Sequence, residues 1–171
     1  MPEAHLHVFA YGSNLHAGRM RFRVSTATPA AIGYVEQRQL KFHKRSVDGS
    51  AKANAMYTSI PTDRVWGVVY RLSRDEKPEL DKHEFLGVGY DEQLVTVLTK
   101  NGSIKAWMYV ARRNTIDESL KPYSWYCDYV IAGARQHRLP FCYINDLMGF
   151  DSIVDPDVGR HEQNRRRRDS R

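Results

Sequence analysis

The 171-residue chain has only two cysteines, Cys127 and Cys142, too few for the disulfide framework of a small secreted domain. Both sit among apolar neighbours and read as small buried side chains in a reducing compartment. Long hydrophobic runs are also missing. None reaches the roughly 18 residues of a membrane-spanning helix, so no membrane association is expected. The opening Met-Pro-Glu-Ala-His lacks the basic start and apolar core of a secretory signal, which points to the cytoplasm. Seven histidines form no HExxH motif and have no cysteine partners at zinc-finger spacing. His5 and His7 share one strand face, but two ligands make a poor metal site, and no metal is expected. No GxxxxGK[ST] run cradles a phosphate, Ser13 stands outside any GxSxG elbow, and neither cysteine has a histidine in a recognised nucleophile setting.

Hydrophobic residues make up 42% of the chain and charged residues 27%, a balance that suits a folded core. The length fits a single domain able to bury roughly 70% of its unfolded surface. The formal net charge is +6, from 26 Lys+Arg against 20 Asp+Glu. Residues 160–171 hold six arginines against Glu162 and Asp169, a surplus of four, which leaves 20 basic and 18 acidic groups elsewhere. A nucleic-acid-binding domain carries its basic residues on a folded face, so nucleic acid is not the expected partner. Residues 153–171 show no apolar periodicity and read as a disordered basic tail behind a domain of residues 1–152.

His5–Ala10 reads as a short strand running into the turn-rich Tyr11-Gly12-Ser13-Asn14. Residues 20–24 are ambiguous and suit a short helix. Residues 30–44 look extended, 48–50 form a loop and 54–60 another strand. Residues 65–72, VWGVVYRL, are apolar on both faces, as at the centre of a sheet. Ser73 and Glu76 have the spacing of a capping box, and Pro78 sets the regular helix start near Lys77. Residues 94–99 and 104–111 flank Lys100-Asn101-Gly102-Ser103, a hairpin turn. Residues 122–138 and 141–148 read as helices separated at Leu139-Pro140. About six strands without regular βαβ alternation predict an α+β fold.

Two features could carry chemistry. The glycine turn after the first strand offers consecutive backbone N–H groups where strand pairing has stopped, a possible nest for a carboxylate or oxyanion. An ordinary turn is the alternative. Glu84 lies four residues after Leu80 and so shares its inward face, while Asp81 and Lys82 point to solvent. Followed by Phe85, Leu86 and Val88, Glu84 would sit in apolar surroundings whose desolvation raises a carboxyl toward the range of a general base. A carboxylate hydrogen-bonded to a loop fits as well. Tyr11, Tyr57, Tyr90, Tyr109 and Tyr126 could present hydroxyls to a polar ligand.

Residues 9–15, Phe-Ala-Tyr-Gly-Ser-Asn-Leu, resemble the amino-terminal signature of the γ-glutamylcyclotransferase family. The VWGVVY strand, the segment from Leu80 to Glu84 with its glycine-containing loop and Tyr90, and Tyr126 followed by Gly133-Ala134 and Leu139-Pro140 resemble later motifs of that family in the same order. The resemblance covers about residues 6–150. It implies a small mixed β-barrel with flanking helices and no cofactor, acting on a small γ-glutamyl substrate to give 5-oxoproline. It further implies Glu84 as general acid/base, with Phe9, Ala10, Tyr11, Gly12, Ser13, Asn14, Tyr90 and Tyr126 binding substrate. Phe85 departs from the pattern, since family members commonly have glycine there. Asn14 resembles the branch acting on γ-glutamyl-amino acids more than those acting on glutathione or γ-glutamylamines. The alternatives are a cyclotransferase for γ-glutamylamines or a secondary metabolite, and a non-catalytic module gripping RNA or acidic lipid through the arginines at 165–168. Oligomeric state is not legible.

Overall fold

A computed structural model of the chain describes residues 4–170. Seven strands and five α-helices follow in the order β1 (His5–Ala10), α1 (Ala17–Arg23), β2 (Thr28–Glu36), β3 (Arg38–Arg45), β4 (Ala51–Tyr57), β5 (Arg64–Ser73), α2 (Lys77–Glu84), β6 (Tyr90–Thr99), β7 (Gly102–Ala111), α3 (Ser124–Gln136), α4 (Phe141–Met148) and α5 (Val158–Asp169). Five strands close a mixed barrel in the order β1-β5-β2-β6-β7, sealed by parallel pairing of β1 with β7 at Val8 and Trp107. The α+β class matches the reading of the sequence pattern, and the mixed barrel with flanking helices is what the family resemblance implies.

The apolar run of β5 explains its central place. It pairs antiparallel with β1 on one side and β2 on the other, and Val65, Val68, Val69, Tyr70 and Leu72 are fully buried. The extended stretch 30–44 is two strands rather than one. Gln37 adopts a left-handed φ of 59° between them, and its carbonyl accepts the Thr58 N–H. The chain therefore leaves the barrel after β2, and β3 pairs with β4 as a separate hairpin. The Asn54 side chain ties that hairpin back, accepting the Ala111 N–H at 2.9 Å.

Three local expectations need correction. Ser73 makes no side-chain cap, because Glu76 turns away to accept hydrogen bonds from Ser25 and Thr26. Cys127 is buried and its thiol is pushed up to about 12 by burial, but Cys142 lies exposed on α4. The expected disordered tail contains a helix, α5, packed on the domain. The Asp157 carboxylate caps its first turn, Arg160 pairs with buried Asp155, and Arg168 pairs with Asp128 of α3. These are polar attachments, invisible to a search for apolar periodicity. Among the described residues, no helix is long and apolar enough to cross a membrane.

Candidate active site

Where β1 ends, the chain makes a 3-10 turn over Ser13–Leu15 and enters α1. The far side of this turn is held by two buried elements. Tyr70 donates its hydroxyl proton to the Leu15 carbonyl at 3.0 Å. Gly133 of α3 lies against the same backbone, where a Cβ would stand 2.4 Å from Leu15 C and His16 N. Only glycine lets the helix come that close. Within the turn, Leu15 and His16 donate back to Gly12 and Ser13. The N–H groups of Gly12, Ser13 and Asn14 have no acceptor among the described residues. Gly12 has φ −100°, so it is not in the left-handed region. Its role is close approach, since a Cβ would lie 3.1 Å from Ala53 Cβ and 3.2 Å from the Tyr126 hydroxyl.

The turn forms one wall of a small depression with a cavity volume of about 40 Å³. The residues to which the family resemblance assigns catalysis and substrate binding all line it: Phe9, Ala10, Tyr11, Gly12, Ser13 and Asn14 from the turn, Glu84 from the end of α2, and Tyr90 and Tyr126. Val8, Ala53 and Tyr109 complete the lining. Tyr57 is exposed and lies elsewhere.

Glu84 does not lie in the apolar surroundings its neighbours suggested, because Phe85 and Val88 turn outward to solvent. Its Oε1 accepts hydrogen bonds from Asn14 Nδ2 at 2.8 Å and from the Arg23 guanidinium at 2.7 Å. The same Arg23 nitrogen donates to Asn14 Oδ1 at 2.8 Å, closing a triangle of three side chains. Both ionic partners are only 14% exposed at the side chain. Oε2 has no partner among the described residues, and Glu84 lines the depression. Arg19, one helical turn before Arg23, donates to Ser13 Oγ at 3.0 Å and lies 4.5 Å over the Tyr129 ring. Burial pushes its guanidinium down to about 10. Neither arginine stood out in the sequence, where residues 20–24 read as ambiguous, although an i, i+4 pair on one helix face was the available signal.

The tyrosines divide by role. Tyr11 donates to the Tyr109 carbonyl at 2.5 Å and is spent on the floor of the depression. Tyr109 in turn donates to Asp81, which also pairs with Lys77, so Asp81 is not the solvated residue that helical spacing suggested. Tyr90 donates to the Ala53 carbonyl at 2.7 Å, and Tyr126 accepts the Ala53 N–H at 3.1 Å. One residue of β4 thus clamps both rings beneath the hairpin. As acceptor there, Tyr126 keeps its own proton free to donate. Burial raises the Tyr126 hydroxyl above its ordinary range, so it stays a neutral donor at physiological pH. No group of three or more His, Cys, Asp or Glu side chains able to hold a metal occurs among the described residues.

The AIG2-like family model matches residues 64–147, from β5 through most of α4. A γ-glutamylcyclotransferase from Bos taurus is 31% identical over 143 residues, 81% of this chain and 75% of that protein. One from Homo sapiens is 29% identical over 148 residues, 84% of this chain and 77% of that protein. Among solved structures, an uncharacterized protein from Homo sapiens superposes with a TM-score of 0.80 at 27% identity, covering 88% of this chain and 90% of its own. A structure named gamma-glutamyl cyclotransferase reaches 0.81 at 24% identity, covering 95% and 99%. The chain belongs to the γ-glutamylcyclotransferase family.

Proposed function

We propose that the chain converts γ-glutamyl-amino acids into 5-oxoproline and the free amino acid, with Glu84 as its single general acid/base. The observation that carries this reading is the Asn14–Arg23–Glu84 triangle set beside three unpaired turn N–H groups. It offers one oriented carboxylate and a bank of donors, and it offers no protein nucleophile. Ring closure needs none. The substrate's own α-amine attacks its γ-carbonyl carbon, and well-oriented intramolecular reactions reach effective molarities of about 10⁵–10⁸ M.

The turn is suited to hold the γ-glutamyl α-carboxylate and fold the substrate back on itself. Glu84 Oε2 removes a proton from the α-ammonium as the new C–N bond forms. The negative charge that develops on the carbonyl oxygen is met by donors from the turn or from the Tyr126 hydroxyl. Removing one such donor typically costs about 3–4 kcal/mol of transition-state stabilisation. The same Glu84 oxygen then delivers its proton to the leaving nitrogen as the old amide C–N bond breaks. The new ring nitrogen sheds a second proton and the released amine takes one up, so the two protons lost by the α-nitrogen match the two gained by the leaving nitrogen, Glu84 ends as it began, and the steps call for no cofactor.

The test is to incubate the protein with γ-glutamyl-alanine and measure 5-oxoproline. Turnover is expected, and Glu84→Gln, which keeps the hydrogen-bonding shape but removes the base, should abolish it almost completely. A wild-type protein inert toward γ-glutamyl compounds, or a Glu84→Gln variant that keeps its rate, defeats the assignment.

A further inference from the structure

The β3–β4 hairpin places two lysines opposite each other. Lys44 and Lys52 are paired in register across the two strands, so their side chains project from the same face. Like charges directly opposite in a sheet repel, and here both are withdrawn from water. Lys44 is 7% exposed, and the Lys52 side chain 13%. Burial pushes both ammonium groups below the ordinary lysine range, that of Lys52 to about 8. Asp48 neutralises one of them, accepting from Lys52 Nζ at 2.7 Å. The Lys44 ammonium has no hydrogen-bond or ion-pair partner among the described residues and rests 4.9 Å from the centre of the Tyr90 ring. Lys52 Nζ stands 4.8 Å from the Tyr126 ring. Both rings line the depression that holds Glu84. A largely buried ammonium without a hydrogen-bond acceptor, set against a second cation across the strands and aided only at longer range by the Glu84 and Asp48 carboxylates, favours a further anion beside it.

This point adds to the proposed reaction and rests on it. Neither lysine lines the depression itself, but with the γ-glutamyl carbonyl set beside Glu84 and the turn, a leaving group directed past Tyr90 and Tyr126 would approach both lysines. We infer that Lys44, with Lys52 behind it, binds the carboxylate of the leaving amino acid and so selects γ-glutamyl-amino acids over γ-glutamylamines. An amine leaving group has no carboxylate and leaves Lys44 unpaired. The chemistry recognised is an α-carboxylate one amide bond away from the reacting carbon.

Two substrates that differ only in that carboxylate, γ-glutamyl-alanine and γ-glutamyl-ethylamine, test the inference. The wild-type ratio of kcat/KM should favour γ-glutamyl-alanine by about tenfold to a hundredfold, the range for one hydrogen-bonded charge. Lys44→Met should bring the ratio close to one, and Lys44→Arg should keep most of it. Equal wild-type turnover of the two compounds overturns the inference even if Lys44→Met does not fold. A Lys44→Met ratio equal to the wild-type ratio overturns it as well, because a purely structural lysine lowers both rates together. In either case the cyclotransferase reading stands. Turnover of neither compound by the wild-type chain overturns that reading and this inference with it.

Discussion

Arg23 is the side chain on which the orientation of Glu84 depends. One guanidinium nitrogen reaches both Glu84 Oε1 and Asn14 Oδ1, so the carboxylate, the amide and the end of α1 are held as a unit. The asymmetry matters for the chemistry. With Oε1 occupied by two donors, Oε2 is the oxygen free to exchange a proton. Arg23→Gln removes the charge and the shared nitrogen, and a carboxylate misplaced by about 1 Å can lose about a hundredfold in rate. Arg23 acts through Glu84, so the loss should fall on kcat and leave KM within about twofold. Arg23→Lys should recover part of it. If KM rises in step with the fall in kcat/KM while kcat holds, Arg23 binds substrate and does not position Glu84.

At the scale of elements, the cap of α2 shows strain where the family pattern has glycine. Phe85 ends the helix at φ 51°, ψ 49°, a left-handed conformation that crowds any Cβ, and its ring is 53% exposed and packs little in return. Phe85→Gly should raise the unfolding free energy by about 1 kcal/mol, the lower end of the usual left-handed penalty. Urea denaturation measures this, and a destabilised variant would mean that the exposed ring contributes more than the backbone loses. The neighbouring elements also mark how far sequence reasoning reaches. Strands β1 and β5, the β6–β7 hairpin and helices α3 and α4 were legible because apolar alternation and turn residues are local signals. The turn at 11–14 and Glu84 were legible as short contiguous motifs. Arg23 was not, because its meaning depends on a partner 61 residues away. Ala53 was not, because it contributes backbone groups that any residue has. The Lys44–Lys52 pairing needs the hairpin register, which the bulge between Phe42 and Lys44 alters by one residue.

For the molecule as a whole, part of the positive charge beyond residue 159 is paired within the fold. Two of the arginines beyond residue 159 attach α5 to the body, and a third, Arg165, pairs with Glu162 of the same helix. The firmest attachment is buried Asp155. Its carboxylate accepts from Arg160 Nε and NH2 at 2.6 Å, from Trp125 Nε1 at 2.8 Å and from the Asp157 N–H at 2.9 Å. The Arg160 hydrogen bonds chiefly hold this carboxyl down to about 2, against an ordinary value of 3.8. A carboxyl depressed in the folded state stabilises the fold above its unfolded value, and that contribution fades as pH drops through the folded one. Asp155→Asn should therefore cost about 1.5–3 kcal/mol near pH 7, the range for hydrogen bonds to a charged group. The difference from wild type should persist to about pH 5 and shrink between about pH 4 and pH 2. Denaturation midpoints of both proteins across that range provide the check. A difference that stays constant down to about pH 2 would mean that the lost interaction is not the ionised carboxylate, and that α5 is held to the barrel by packing alone.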